Sequence, residues 1–213
     1  MNIEEIRNAV IGNDAGKLKE LIQQNLEQGM DPETLLNQGL IGAMDIVGEK
    51  FSAGELYVPE MLQSAMAMKE GLKLLKPLLV DSAATRKGTI VVGTVKGDLH
   101  DIGKNLVAMM LEGAGFQVID LGVDVDPESF LKGVRENQAQ VYAMSALLTT
   151  TMPSMKETIE LVKREISDRQ VKTIIGGAPL SQKYADDIGA DGFAPDAGAA
   201  VEKVKMLIGR VSL

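Results

Sequence analysis

The spacing of hydrophobic positions changes near residue 88 of this 213-residue chain. Before that point it is helical throughout. Ile3, Ile6 and Val10 share one helix face, and Leu18, Leu21, Ile22 and Leu26 share another. Asp31 followed by Pro32 reads as the N-cap and first turn of a third helix. That helix runs through Leu35, Leu36, Leu40, Ala43, Met44 and Val47. Gly54 interrupts the pattern, and Pro59 opens a fourth helix. Its apolar positions Met61, Ala65, Met68, Leu72, Leu75 and Leu79 step by 4, 3, 4, 3 and 4. Such a stripe is the seam of a packed helix bundle.

Residues 81–88 are polar, small and unpatterned, which predicts a linker. From Thr89 onward, short β-rich runs alternate with helical stretches. The expected strands are 89–94, 117–121, 140–144, 172–176 and 191–194. The expected helices are 102–114, 127–137, 154–167, 181–189 and 197–209. Five βα units of this length predict a parallel sheet covered on both faces, doubly wound in the flavodoxin-like order 2-1-3-4-5. The expected class is therefore α plus α/β, with a helical domain at 1–80, a linker at 81–88 and an α/β domain at 89–213.

Composition narrows the functions open to such a chain. Cysteine is absent, which excludes a disulfide scaffold, a thiolate zinc site and iron–sulfur ligation. Residues 1–80 carry 7 Lys+Arg against 12 Asp+Glu, and residues 81–213 carry 15 against 18. Neither half is basic, which argues against a nucleic-acid partner. The start has no basic-plus-apolar leader, and no apolar run is long enough to span a bilayer, so a cytoplasmic location is expected. Methionine is frequent, with five in the first 80 residues besides the first (Met30, Met44, Met61, Met66 and Met68). Core filling is the ordinary account of them.

Chemistry concentrates where the strands run into helices. In a parallel sheet every such loop lies on one edge, where ligands bind. His100, the single histidine, lies in Val95-Lys-Gly-Asp-Leu-His-Asp-Ile-Gly103 after the first strand. The other loops are Gly122-Val-Asp-Val-Asp126, Ser145-Ala-Leu-Leu-Thr-Thr-Thr-Met-Pro153, Gly176-Gly-Ala-Pro179 and Ala194-Pro-Asp196. These are small, hydroxylated or glycine-rich, and describe a roomy cleft walled by backbone. The Ser/Thr run could equally cap the helix that begins near Pro153. Asp98 two residues before His100 can hold the imidazole tautomer and leave the other ring nitrogen for a metal. One imidazole cannot hold a free metal ion, because a zinc site takes three or four protein ligands. Asp98, Asp101, Asp124 and Asp126 could supplement it, but the glycines and hydroxyls would then stand idle. A metal already caged in a macrocycle needs one axial ligand, and that arrangement uses all the loops.

Asp98-x-His100-x-x-Gly103, then Ser145-x-Leu147, then Gly176-Gly177 resembles the three-part signature of base-off, His-on cobalamin-binding domains. Residues 104–144 place 41 positions between the first and second parts, and residues 148–175 place 28 between the second and third. In the first half, Gly48-Glu-Lys-Phe51 through Val58-Pro59-Glu-Met61 to Ala65 resembles the helical cap that precedes this domain in cobalamin-dependent methionine synthase. It also resembles the cap of the small corrinoid proteins of methyltransferase systems. Nearly the whole chain is thus similar to the methyltransferase-cognate corrinoid proteins.

That resemblance implies a cobalamin or related corrinoid, held as Co(I) cobalamin or methylcobalamin, with His100 as the lower axial cobalt ligand. Asp98 would hydrogen-bond its ring, and Thr151 would complete the relay. Ser145 and Leu147 would line the slot for the nucleotide tail, and Gly103, Gly176 and Gly177 would let backbone approach it. Asp101, Ile102, Thr149 and Ala178 belong to the same cleft on this pattern. Phe51, Val58 and Met61 align with the cap residues that cover the methyl-bearing upper face. The implied role is that of a methyl carrier that does not turn over alone. It would take a methyl group from a donor-specific methyltransferase and give it to a second methyltransferase serving a pterin or thiol, with a reductive activator restoring Co(I). The signature is shared by the small subunit of cobalamin mutases, in which an 80-residue cap would be unexplained. The layout is shared by B12-dependent regulatory modules, which add a DNA-binding domain for which this chain has neither room nor basic patch.

Overall fold

The computed structural model describes residues 3–79, 87–167 and 170–211. Residues 81–86 of the expected linker lie outside the described residues. The chain forms two compact units, Met1–Lys87 with Glu112–Gly115, and Gly88–Leu111 with Phe116–Leu213.

The N-terminal unit is helical, as the 3.6-residue spacing requires. Helix α1 (Ile3–Ile11) buries Ile6, Ala9 and Val10, and α2 (Ala15–Glu27) buries Leu18, Leu21 and Ile22. The Asp14 carboxylate caps α2 by accepting from the Lys17 N–H at 2.9 Å. Asp31 caps the third helix as expected, with its Oδ2 accepting from the Thr34 N–H at 2.9 Å. That helix is not α-helical throughout. After α3 (Pro32–Thr34) the chain is π-helical over Leu35–Ile41, then returns to α4 (Gly42–Ser52). The i→i+5 bonding, seen where the Gly42 N–H donates to the Asn37 carbonyl, widens the turn. Leu35, Leu36, Gly39, Leu40 and Ile41 are all buried as a result. A strict α-period anticipates the leucines but not Gly39 or Ile41. The fourth expected helix is α5 (Val58–Leu75), begun one residue before Pro59 and capped by Glu60, whose Oε2 accepts from the Tyr57 N–H at 2.9 Å. Met61, Ala65, Met68 and Leu75 are buried along it. Leu72 is only half-buried, and Leu79 lies beyond a short 3-10 turn, Lys76–Leu78.

The second unit is a five-stranded, wholly parallel sheet in the order β2-β1-β3-β4-β5. Its strands are β1 (Thr89–Thr94), β2 (Gln117–Asp120), β3 (Val141–Ser145), β4 (Lys172–Gly176) and β5 (Gly192–Phe193). The helices are α6 (Ile102–Gly113), α7 (Pro127–Glu136), α8 (Met152–Glu165), α9 (Gln182–Ile188) and α10 (Ala197–Val211). The central strands are near-continuous apolar runs because helices cover both faces. Phe130 and Val134 of α7 and Met155, Ile159 and Val162 of α8 pack with Val91, Tyr142, Met144 and Ile175 of the sheet. Only β5 is much shorter than its expected span of 191–194. It is an edge strand that pairs on one side only, through Ile174 with Gly192 and Ile175 with Phe193. Helix α8 begins and ends two residues before its expected limits of 154–167, with Pro153 in its first turn, where a missing N–H is tolerated.

Candidate cofactor-binding site

Because all five strands are parallel, their carboxyl ends and the following loops share one edge of the sheet. The register seats the β1 and β3 loops side by side. Thr94 pairs with Ser145, and the Val95 N–H donates to the Ser145 carbonyl at 3.0 Å.

Asp98 is at the centre of this edge and has no solvent exposure. Its Oδ1 lies 2.7 Å from His100 Nδ1 and accepts the His100 backbone N–H at 3.1 Å. Its Oδ2 accepts from the N–H groups of Leu147 (2.7 Å) and Leu148 (3.2 Å) and from the Thr151 hydroxyl (3.0 Å). Thr151 Oγ1 is also 2.9 Å from the Leu148 carbonyl, but a hydroxyl has one proton, and the carboxylate is the stronger acceptor. Burial alone would push the Asp98 carboxyl up. The donors, led by the Leu147 N–H and followed by the His100 ring, outweigh it and hold the group well below the usual carboxylate range. Asp98 is therefore charged and fixed from two loops.

The same bonds orient the imidazole. A ring that gives its Nδ1–H to a carboxylate carries its lone pair on Nε2. The His100 side chain is 52% exposed while its partner is fully buried, so the ring is supported from within the fold and half open to solvent. The Thr94 hydroxyl, itself buried, donates to the His100 carbonyl at 2.9 Å and ties down the backbone behind the ring.

Thr151 sits at the N-cap position of α8 but makes no capping bond, so the capping account of the Ser/Thr run fails for this residue. Thr149 is exposed, and Ser145 is half-buried at the end of β3. Leu147 and Leu148 are 42% exposed, Leu99 70% and Ile102 81%, an unusual concentration of bare apolar side chains around the Asp98–His100 pair. Gly103 has open space where a side chain would stand. Gly177 is different: at φ +140° a Cβ would lie 1.9 Å from the Ala146 carbonyl oxygen, so only glycine lets the β3 and β4 loops approach this closely. Gly176 and Ala178 flank it, with Ala178 exposed.

The acidic residues do not converge on a cation. Asp101 accepts from Asn105 Nδ2 at 3.1 Å, Asp124 accepts from the Gly97 N–H at 2.7 Å, and Asp126 caps α7 through the Ser129 N–H at 2.7 Å. Among the described residues no group of three or more His, Cys, Asp or Glu could hold a metal ion. A site with one supported imidazole, small residues and exposed leucines suits a metal carried in an organic ring better than a bare ion. In the N-terminal unit, Phe51 is half-buried in the last turn of α4, Val58 is exposed at the start of α5, and Met61 is fully buried. Met61 is thus packed as core.

Sequence reasoning missed Thr94 and Lys104. A threonine at a strand end carries no distinguishing pattern. Lys104 follows Gly103 and reads as a surface residue, yet it is 5% exposed and its ammonium lies 2.5 Å from Asp120 Oδ2.

Residues 88–205 match the B12 binding domain family, and residues 2–76 match a second family described as a B12 binding domain. The chain belongs to the B12-binding corrinoid proteins. It is 40% identical over 211 residues to a corrinoid protein of Desulfitobacterium hafniense, covering 98% of each chain. It is 42% identical over 205 residues to the trimethylamine corrinoid protein of Methanosarcina barkeri, covering 95% of this chain and 94% of that one. In structure it matches a chain of the methanol:cobalamin methyltransferase complex of Methanosarcina barkeri with a TM-score of 0.85 at 29% identity. That match covers 97% of this chain and 79% of the other. The five-stranded order and N-terminal helical unit are those of corrinoid proteins, and the cofactor is a cobalamin-type corrinoid. No helix among the described residues is long and apolar enough to cross a membrane.

Proposed function

We propose that this corrinoid protein is a methyl carrier that holds its cofactor base-off with His100 as the lower axial ligand. The observation that carries the reading is the Asp98 carboxylate, which binds His100 Nδ1 with one oxygen and the β3–α8 loop with the other. When bound, the corrinoid supplies the cobalt that takes up and releases the methyl group. The chain's residues do the rest. Asp98 keeps the Nδ1 proton in place and Nε2 available, and its negative charge strengthens the ligand. Ser145, Leu147 and the Gly176–Gly177 backbone would flank the cofactor's nucleotide tail.

The carrier role fits relatives named for trimethylamine and a structural match drawn from a methanol methyltransferase complex. The partners proposed are a donor methyltransferase, a second methyltransferase with a pterin or thiol acceptor, and a reductive activator, all in the cytoplasm. The helical region 1–80 is proposed as the cap, 81–88 as the linker and 89–213 as the binding domain.

Purified protein mixed with hydroxocobalamin and desalted is expected to retain colour with a His-ligated spectrum. His100→Ala is expected to lose that spectrum and to accept methyl groups poorly. A wild-type protein that emerges colourless would end the cobalamin reading, and an unchanged spectrum in His100→Ala would end the axial-ligand assignment.

A further inference from the structure

We propose that Asp124, on the β2–α7 loop, is a positioning residue that clasps the loop bearing Asp98 and His100. This rests on the reading of His100 as the axial ligand. Asp124 is one of the non-glycine residues with a left-handed backbone, at φ +55°. Side chains other than Gly, Asn and Asp rarely adopt that conformation, so the position is constrained. From it, Asp124 makes two bonds to consecutive residues of the β1–α6 loop. Its N–H donates to the Asp98 carbonyl at 3.0 Å, and its Oδ1 accepts the Gly97 N–H at 2.7 Å. Among the described residues no other side chain bonds the Gly97 amide.

The clasp has a firm base. The Thr94 N–H donates to the Gly122 carbonyl at 3.0 Å, the Val125 N–H donates to the Thr94 carbonyl at 2.9 Å, and Val95 and Val125 form a parallel bridge. The start of the loop is pinned by Asp120, which accepts the Gly122 N–H at 2.9 Å through Oδ1 and the buried Lys104 ammonium through Oδ2. Asp98 is therefore gripped at its carboxylate by the β3 loop and at its main chain by Asp124. The ring of His100 hangs from the first grip, and the second fixes where that grip stands. An imidazole that would hold the corrinoid from one fixed place would need both.

Three variants separate the clasp from general loop stability. Asp124→Asn keeps an oxygen acceptor and tolerates the left-handed backbone. Asp124→Gly accepts the backbone but has no acceptor, and it relieves strain, so it is expected to fold. Asp126→Ala, in the same loop, removes the α7 cap and the charge near Lys96 but leaves the bond from Gly97 to Asp124. In cofactor-free protein, hydrogen exchange at the Gly97 amide is expected to speed up about tenfold in Asp124→Gly, the factor given by about 1.4 kcal/mol. It should stay near the wild-type rate in Asp124→Asn and Asp126→Ala. With hydroxocobalamin, Asp124→Gly should show a reduced His-ligated fraction, rescued in Asp124→Asn. Unchanged Gly97 exchange in Asp124→Gly overturns the clasp whatever the cofactor does, and so does an equal change in Asp126→Ala. A wild-type protein that fails to bind cobalamin overturns the axial-ligand reading and, with it, the clasp's part in ligation.

Discussion

A carboxylate with no solvent exposure costs far more than a surface one unless every lone pair is used, and Asp98 meets that condition with five donors from four residues, the His100 ring among them. Thr151 is the donor whose removal is cleanest, because valine has its shape without its proton. Thr151→Val is expected to cost about 1.5–3 kcal/mol in urea unfolding, the range for a hydrogen bond to a charged group, while Thr151→Ser should recover most of it. A Val variant as stable as the wild type would mean that the hydroxyl bonds only the Leu148 carbonyl. The Asp98–His100 spacing of two was readable directly, since it is a local pattern in one loop. Its link to Thr151 spans 53 residues and depends on how the β1 and β3 loops meet.

At the scale of elements, helices α2 and α5 are joined across their surfaces by Glu70, which pairs with Lys73 of its own helix and with Lys19 at 2.9 Å. The hydrogen bond from Lys73, then that from Lys19, holds the Glu70 carboxyl at about 2, below its ordinary 4.5. A group depressed in the folded state contributes stability that is present above the unfolded value and is lost as pH falls through the folded one. The contribution of Glu70 should therefore fade between about pH 4.5 and 2. Following acid unfolding of wild type and Glu70→Gln should show the two curves converging across that window, and added salt should bring them together at higher pH because the pair is exposed. Curves that stay parallel from pH 5 to 2 would rule the pair out as a contributor. The π-helical turn at Leu35–Ile41 belongs to the same scale. Apolar spacing located the helix, but the exchange of α for π bonding is set by the packing of the turn, including Ile6 3.0 Å from where a Gly39 Cβ would lie.

For the whole molecule, binding of a cofactor to the folded state alone raises stability with concentration. At about 100 times Kd the gain is about 2.7 kcal/mol. For a chain of this size that shifts Tm by about 5–10 °C. A thermal midpoint that does not climb with hydroxocobalamin concentration would show that the folded protein does not bind it preferentially. Sequence by itself determined the order of helices and strands, the parallel winding and the residues able to supply one axial ligand. These follow from periodicity and from residue type, which are local properties of the chain. Tertiary structure alone decided that Thr151 serves Asp98 instead of capping α8, that Asp124 clasps Gly97 and Asp98, and that Lys104 is buried against Asp120. Each depends on sheet register or helix packing bringing together groups up to 53 positions apart, and no window of sequence contains both partners.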